Sequence, residues 1–183
     1  ERIDTGNPSS LFYRITVTLY RDVDGVPAGI GTINFGDGSD PVSVEPESLV
    51  LIDNGQTEKL RYVVEHNFPV ATVYKISYFE RNRNTGIVNM SNSSEVPFYI
   101  ESQILINPIF GLNSSPRLEV DPIDRACTGQ KFTHNPGAFD EQGDSLSYEL
   151  TVSRQESGIP VPNYRFPDLL STEQEDGTTP DLF

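Results

Sequence analysis

Carboxylates are the most plentiful reactive groups in this sequence. The 183-residue chain has 27 Asp and Glu residues against 13 Lys and Arg, which gives a formal net charge of −14 at pH 7. A glycosidase needs only two carboxyl groups at a suitable separation. No pair here is set apart by its spacing from the carboxylates expected on such an acidic surface. The acidic residues alone therefore do not indicate an active site.

The two histidines are the other candidates for acid–base or nucleophilic chemistry. His66 and His134 both lie in turn-rich stretches. A Ser-His-Asp arrangement stays open at this stage, because a triad is set by geometry and not by sequence spacing. The sequence contains no G-x-S-x-G elbow, no HExxH pair and no P-loop. We therefore expect no enzyme activity in this chain.

Cysteine chemistry is limited to one residue. Cys127 is the single cysteine, so neither an intrachain disulfide nor a cysteine-based zinc cluster can form. We expect Cys127 to be a small, partly buried residue, with a reactive thiol as the alternative.

The charge and hydropathy of the sequence limit the classes of partner that the chain could bind. A net charge of −14 argues against nucleic acid, because phosphate binding needs clustered Lys and Arg. No apolar run reaches the ~20 residues needed to cross a bilayer, so we expect no membrane span. The chain begins at Glu1 without a basic and apolar leader, so any signal peptide is expected to be removed or to lie outside this sequence.

The elements that must position any site are predicted to be strands. Leu11–Tyr20 alternates cleanly, with Tyr13 and Val17 on one face and Thr16 and Thr18 on the other. No apolar repeat of period 3.6 lasts for three turns, which indicates an all-β sandwich. Further strands are predicted at 31–35, 41–44, 49–52, 60–64, 74–79 and 98–106.

The second half is separated from the first by a stretch typical of a linker. Residues 107–116 are rich in Pro, Asn, Gly and Ser, which predicts domains at 1–108 and 109–183. Strands are predicted at 117–120, near Phe132 and at Ser145–Val152, the last with Leu146, Tyr148, Leu150 and Val152 pointing inward. The tail from Ser171 is acidic and loop-like, and whether residues 150–183 complete the second domain stays open.

A glycine-rich turn and a later strand resemble one known domain family. Gly36 and Gly38 can adopt positive φ, and Asp37 can hydrogen-bond the turn backbone. The stretch 35–39, Phe-Gly-Asp-Gly-Ser, is followed by His-Asn-Phe at 66–68, which we take as a loop, and by an alternating Tyr-x-Ile-x-Tyr strand from Tyr74. This series resembles the polycystic kidney disease (PKD) domain. The alternative is a tight turn in an unrelated β-protein.

The PKD resemblance carries expectations about fold and function. It implies an immunoglobulin-like β-sandwich that acts as a spacer and adhesion module on extracellular proteins. It also implies a structural role for Gly36, Asp37, Gly38 and His66, with no part in catalysis.

A second resemblance lies at residues 135–150. The acidic loop and alternating strand there, preceded by Asn-Ser-Ser-Pro at 113–116, resemble cadherin-like and dystroglycan-type repeats. Such loops can bind calcium, which implies Asp140 and Asp144 as ligands and Ca²⁺ as the one cofactor to expect. Calcium takes six to eight oxygen ligands, but Gln142 stands where the family often has a carboxylate. The alternative is an acidic turn whose aspartates accept bonds from backbone amides.

The whole series of motifs has a third, broader resemblance. The Tyr-Arg-Asp triplet at 20–22, the PKD-like turn and the cadherin-like block occur in an order that resembles Bacteroidetes surface proteins. These are the gliding-motility-associated proteins exported by the type IX secretion system. Many relatives have Cys after the triplet, where this chain has Val23. Asp-Ser-Leu at 144–146 resembles the O-glycosylation site of that phylum, which implies Ser145 as an acceptor.

These resemblances together imply two tandem immunoglobulin-like β-sandwich domains of an extracellular, cell-surface protein that associates with the outer membrane through its secretion. The expected function is non-catalytic adhesion, spacing or display, with a surface glycan, a protein or neighbouring domains as partners. The alternative is an accessory carbohydrate- or protein-binding region of a secreted hydrolase. Four aromatic residues could form a carbohydrate platform, although covering sheet faces is the favoured role: Tyr20, Phe79, Tyr99 and Tyr164.

Overall fold

The computed structural model describes residues 1–111, 113–125, 127, 130 and 133–166. In this described part the chain is all-β, and its helical segments are three short 3₁₀ turns. The prediction of an all-β chain is confirmed. The strand predicted near Phe132 and the acidic tail from Ser171 lie outside the described residues.

The strands pair antiparallel throughout the described chain. In chain order they are β1 Phe12–Asp22, β2 Gly31–Asn34, β3 Val42–Val44, β4 Pro46–Ile52, β5 Thr57–Asn67, β6 Val73–Glu80, β7 Phe98–Leu105, β8 Arg117–Leu118, β9 Ala138–Phe139, β10 Arg154–Glu156 and β11 Ile159–Pro160.

The chain divides into two compact units. The first unit contains residues 1–81 and 98–115, and the second contains residues 82–97 together with the described residues from Pro116 onward. The predicted domains 1–108 and 109–183 stay a prediction. The compact units differ from these bounds, because residues 82–97 belong to the second unit and residues 109–115 belong to the first.

The first unit is β-sandwich-like. Its three-stranded sheet has the order β1–β5–β4, and its four-stranded sheet has the order β3–β2–β6–β7. Side chains from both sheets meet in one hydrophobic core, because alternate residues of each strand point to the same side. The buried members of this core are Tyr13, Val17, Ile33, Phe35, Leu60, Tyr62, Phe68, Tyr74, Tyr78 and Ile106.

Strands β1 and β5 form the longest ladder in the described structure. The register runs without a bulge through eleven pairs, from Phe12 opposite Asn67 to Asp22 opposite Thr57. The alternation predicted for β1 is confirmed, since Tyr13 and Val17 are 4% and 8% exposed. The loop predicted at 66–68 is wrong in part, because β5 continues through Asn67 and places His66 on a strand opposite Tyr13.

The second unit has a smaller described core. It contains two two-stranded sheets, β8–β9 and β10–β11, and a cluster of Met90, Val96 and Val161. The strand predicted at Ser145–Val152 is wrong, because these residues form no strand and their four apolar side chains are 37–67% exposed. An alternating segment becomes a strand only where a neighbour bonds its backbone. The described residues supply no such neighbour.

Candidate functional site

The turn after β2 is built around one glycine that cannot be replaced without movement. The side-chain Oδ1 of Asn34 accepts a hydrogen bond from the Gly36 amide at 2.8 Å. Gly36 has a φ of 71°, and a Cβ at this position would lie 2.3 Å from the carbonyl oxygen of Lys75 on β6. Gly38 also has positive φ, but a Cβ there would meet open space. The close approach of the turn to β6 therefore depends on Gly36.

Asp37 joins this turn to the three-stranded sheet. Its Oδ1 accepts bonds from the Ser39 amide at 3.0 Å and from the Ser39 Oγ at 2.5 Å. Its Oδ2 lies 2.7 Å from Nε2 of His66, and the Asp37 side chain is only 4% exposed. Burial on its own raises the pKa of Asp37, but the hydrogen bonds from Ser39 and His66 outweigh burial and lower it to about 2. The carboxylate is therefore ionised in the folded protein.

The imidazole of His66 is held by aromatic rings as well as by Asp37. It stacks on Phe35 with a centroid distance of 3.8 Å and an interplanar angle of 9°, and it meets Phe68 edge-on at 4.8 Å. Phe35 and Phe68 are 2% and 1% exposed. The structure thus brings Asp37 and His66, two residues of the PKD-like motif, into direct contact.

This arrangement contains a serine, a histidine and an aspartate, but in an order unsuited to nucleophilic catalysis. In a catalytic triad the histidine lies between the other two and takes the proton from the serine. Here the Ser39 hydroxyl donates to Asp37, and the carboxylate lies in the middle. His66 is therefore not placed as the base for Ser39. The cluster can fix the turn against β5, which is a structural role.

A partly buried ion pair holds the loop between β1 and β2. Arg21 Nε donates to Glu58 at 2.6 Å, and both side chains are 12% exposed. Arg21 Nη1 also donates to three backbone carbonyl oxygens in the loop, at 3.0–3.1 Å, and Tyr62 Oη donates to the Gly29 carbonyl at 3.0 Å. The three carbonyls bonded by Arg21 belong to Asp22, Gly25 and Val26.

This ion pair was not predicted from the sequence. The signal that could have revealed it is the position of each charge. Arg21 follows Val17 and Leu19 on the inward side of β1, and Glu58 precedes Leu60 on the inward side of β5. One charge of each sign at core-facing positions indicates a buried pair, because a buried charge needs a partner.

Beside this pair lies a second polar contact in the core. Tyr78 Oη donates to Oε2 of Glu80 at 3.4 Å. Burial raises the pKa of Glu80, while the hydrogen bond from Tyr78 and the charge of Arg21 act in the opposite direction. Burial also raises the pKa of Tyr78. The contact between Tyr78 and Glu80 lies within β6, whereas the pair of Arg21 and Glu58 joins β1 to β5.

In the second unit, Asp140 is held by backbone amides. It is 9% exposed, and its Oδ1 accepts from the Gln142 and Asp144 amides at 2.9 and 3.0 Å. These bonds form the acidic turn that was the alternative to a metal site. Asp144 and Ser145 are exposed. In the part of the chain that is described, no three His, Cys, Asp or Glu side chains group as a metal site, and calcium at Asp140 and Asp144 stays a prediction.

The remaining candidates are dispersed. His134 Nδ1 bonds the Asp124 carboxylate. Cys127 is exposed, so the expectation of partial burial is wrong, because Cys127 belongs to neither hydrophobic core cluster. Both residues lie between β8 and β9, where the described residues form no further strand.

The three aromatic candidates of the first unit, Tyr20, Phe79 and Tyr99, do not lie on one sheet. Tyr20 lies under the ammonium group of Lys59 on the three-stranded sheet, at 5.6 Å. Phe79 and Tyr99 face each other across β6 and β7 in the other sheet, where Phe79 is 42% exposed and Tyr99 is 9% exposed. In the second unit, Tyr164 packs against the hydrophobic cluster.

Comparisons with protein-family models, with curated proteins and with solved structures each give no match. The fold of the described residues places the chain among all-β proteins, with a β-sandwich-like first unit. Among the described residues, no helix is long and apolar enough to cross a membrane.

Proposed function

We propose that this chain is a non-catalytic adhesion or spacer region of a larger exported cell-surface protein. It would contain a PKD-like domain followed by a cadherin-like or immunoglobulin-like domain, in a protein of the type IX-secreted, gliding-motility-associated kind. The order of the motifs and the sandwich-like first unit support this proposal. Its partners would be a surface glycan, a surface protein or the neighbouring domains.

The observation that carries the proposal is the β1–β5 ladder. The eleven pairs are unbroken, and an ion pair lies towards each end: Arg14 bonds Glu65 at 2.8 Å and Arg21 bonds Glu58 at 2.6 Å. Residues Glu1–Ile3 also bond the edge of β1 through a bridge from Arg2 to Tyr13. Because the backbone bonds of an antiparallel pair lie perpendicular to both strands, eleven unbroken pairs hold β1 firmly on β5. Such a ladder suits a rigid spacer module.

The use of the reactive side chains also supports the proposal. Asp37 fixes one turn, Arg21 fixes the loop after β1, and Asp140 fixes the acidic turn. These three side chains are committed to backbone groups or to a structural partner. Loops held this way lose little conformational entropy on binding, so they suit the display of a binding surface.

The experiment is single-molecule stretching of the full 183-residue chain between tags at its two ends. We expect the first unit to unfold in one cooperative step, because its two sheets share one hydrophobic core. Gradual extension of the first unit without a force peak would contradict the spacer role. Turnover of glycoside, ester or peptide substrates by the pure chain would contradict the non-catalytic role. Selective retention on one polysaccharide would favour the accessory region of a hydrolase.

A further inference from the structure

Three of the four sheet edges in the first unit have at least one feature that opposes pairing with another chain. Residues Glu1–Ile3 bond the beginning of β1, through the bridge to Tyr13 and a bond from the Ile3 amide to the Phe12 carbonyl at 2.9 Å. Strand β3 is three residues long and follows Pro41. Strand β7 has Glu101 near its centre, where the carboxylate pairs with Lys75. Short strands, prolines, covering segments and edge charges are the usual protections.

The fourth edge, strand β4, has no such protection over its C-terminal part. Three consecutive side chains are more than half exposed: Leu49 at 52%, Val50 at 54% and Leu51 at 55%. The stretch Ser48–Ile52 has no charge and no proline. In the described structure β4 pairs with β5 on one side only. Its other side therefore presents a row of backbone groups flanked by apolar side chains on both faces.

We propose that β4 pairs antiparallel with β4 of a second copy of this chain, about a two-fold axis at Val50. The sequence of the strand suits this arrangement, because leucines flank Val50 symmetrically at 49 and 51. In this register Val50 lies opposite its own copy, and Leu49 lies opposite Leu51 of the other copy. A symmetric interface requires such self-complementarity. The two three-stranded sheets would then form one six-stranded sheet.

The charges around this edge permit two copies to meet, although the whole chain has a net charge of −14. On β5, Arg61 and Lys59 lie opposite Ser48 and Val50. The nearest acidic residues of β4 and its following turn are Glu47, which bonds Arg61 at 2.8 Å, and Asp53. Glu58 lies opposite Leu51, where it is paired with Arg21. In the two-fold register Glu47 lies opposite Asp53 of the other copy, so these like charges weaken the contact, and Arg61, which is bonded to Glu47, offsets part of the repulsion.

The size of this contact indicates a weak dimer that stops at two copies. A standard interface buries about 1,200–2,000 Å², and one short strand pair covers less than that. We therefore expect a Kd between about 10 µM and 1 mM. Because the two-fold pairing uses the exposed edge of both copies, neither copy keeps a β4 edge for a third. Growth into fibres, the other fate of such edges, is not expected.

The test is sedimentation equilibrium of the full chain across that concentration range. The average mass should rise from 20.4 kDa towards twice that value and no further. The variant Val50→Lys places a charge on the edge and should weaken association about tenfold or more. The matched control is Val70→Lys, since Val70 is 57% exposed in a loop, and it should associate as the unsubstituted chain does. Circular dichroism checks that both variants fold.

A cross-link tests the register independently. Facing residues in an antiparallel pair have Cα atoms about 4.5–5.5 Å apart, within reach of a disulfide. In a Cys127→Ser background, Val50→Cys should form a disulfide-linked dimer on oxidation, and Val70→Cys should not. A monomer at all concentrations, association insensitive to Val50→Lys, open-ended assembly, or no cross-link through position 50 would each overturn the proposal.

Discussion

The carboxylate of Asp37 lies 2.7 Å from Nε2 of His66, and this contact joins residues that are 29 positions apart. One end is a turn after β2 in the four-stranded sheet, and the other is β5 in the three-stranded sheet. Because His66 also stacks on the buried Phe35, the contact ties the turn to the core of the sandwich.

Removing the charge of Asp37 should destabilise the first unit. In Asp37→Asn, one oxygen becomes an amide that donates hydrogen bonds, so the bonds from Ser39 or from His66 are lost. We expect a loss of about 1–3 kcal/mol in the free energy of unfolding, measured by urea denaturation. The control is Asp40→Asn in the same loop, where the residue is exposed. A change in Asp37→Asn as small as that in the control would contradict the role of Asp37.

The stabilising effect of Asp37 should depend on pH in one direction. Its pKa falls from 3.8 to about 2 on folding, so the ionised carboxylate stabilises the folded state. That contribution, on the order of 1–2 kcal/mol, is complete above about pH 4 and disappears as the pH falls through the folded pKa. The stability difference between the native chain and Asp37→Asn, measured from about pH 6 to pH 2, should therefore shrink in acid. A constant difference would contradict this prediction.

Two glycines of the turn should differ in their tolerance of alanine. Gly36→Ala places a Cβ 2.3 Å from the Lys75 carbonyl oxygen, whereas Gly38→Ala places one in open space. Both residues have positive φ, so both substitutions carry backbone strain of about 1–2 kcal/mol. Only Gly36→Ala must also push the turn away from β6. Thermal unfolding should show a larger loss for Gly36→Ala, and equal losses would contradict the close approach.

Two substitutions in the acidic turn of the second unit should distinguish a structural role from metal binding. Asp140→Ala removes the acceptor of two amide bonds and should destabilise the turn even in a chelator, whereas Asp144→Ala should have little effect there. Hydrogen exchange at the Gln142 and Asp144 amides measures this. The predicted calcium site adds a second expectation, a rise in melting temperature with excess Ca²⁺ that both substitutions abolish. Unfolding curves that coincide with and without Ca²⁺ would contradict the calcium prediction.

The sequence predicted the all-β class and the strand alternation of β1, because both depend on local periodicity. The PKD resemblance implied structural roles for Asp37 and His66, but the contact between them was not predicted. The pair of Arg21 and Glu58 was missed because the two residues are 37 positions apart, and only the register of β1 against β5 brings them together. Period-2 patterns also cannot show whether a neighbour exists, which is why Ser145–Val152 alternates but forms no strand.

The most direct test of the spacer proposal compares the rupture force of the first unit in three chains stretched end to end. Arg21→Ala leaves the partly buried Glu58 without its partner at one end of the β1–β5 ladder, and it should lower the force. Arg61→Ala removes only an exposed ion pair with Glu47, and it should leave the force unchanged. If the native chain shows no force peak, or if both variants unfold at the native force, the ladder does not hold the first unit together under load and the spacer proposal is wrong.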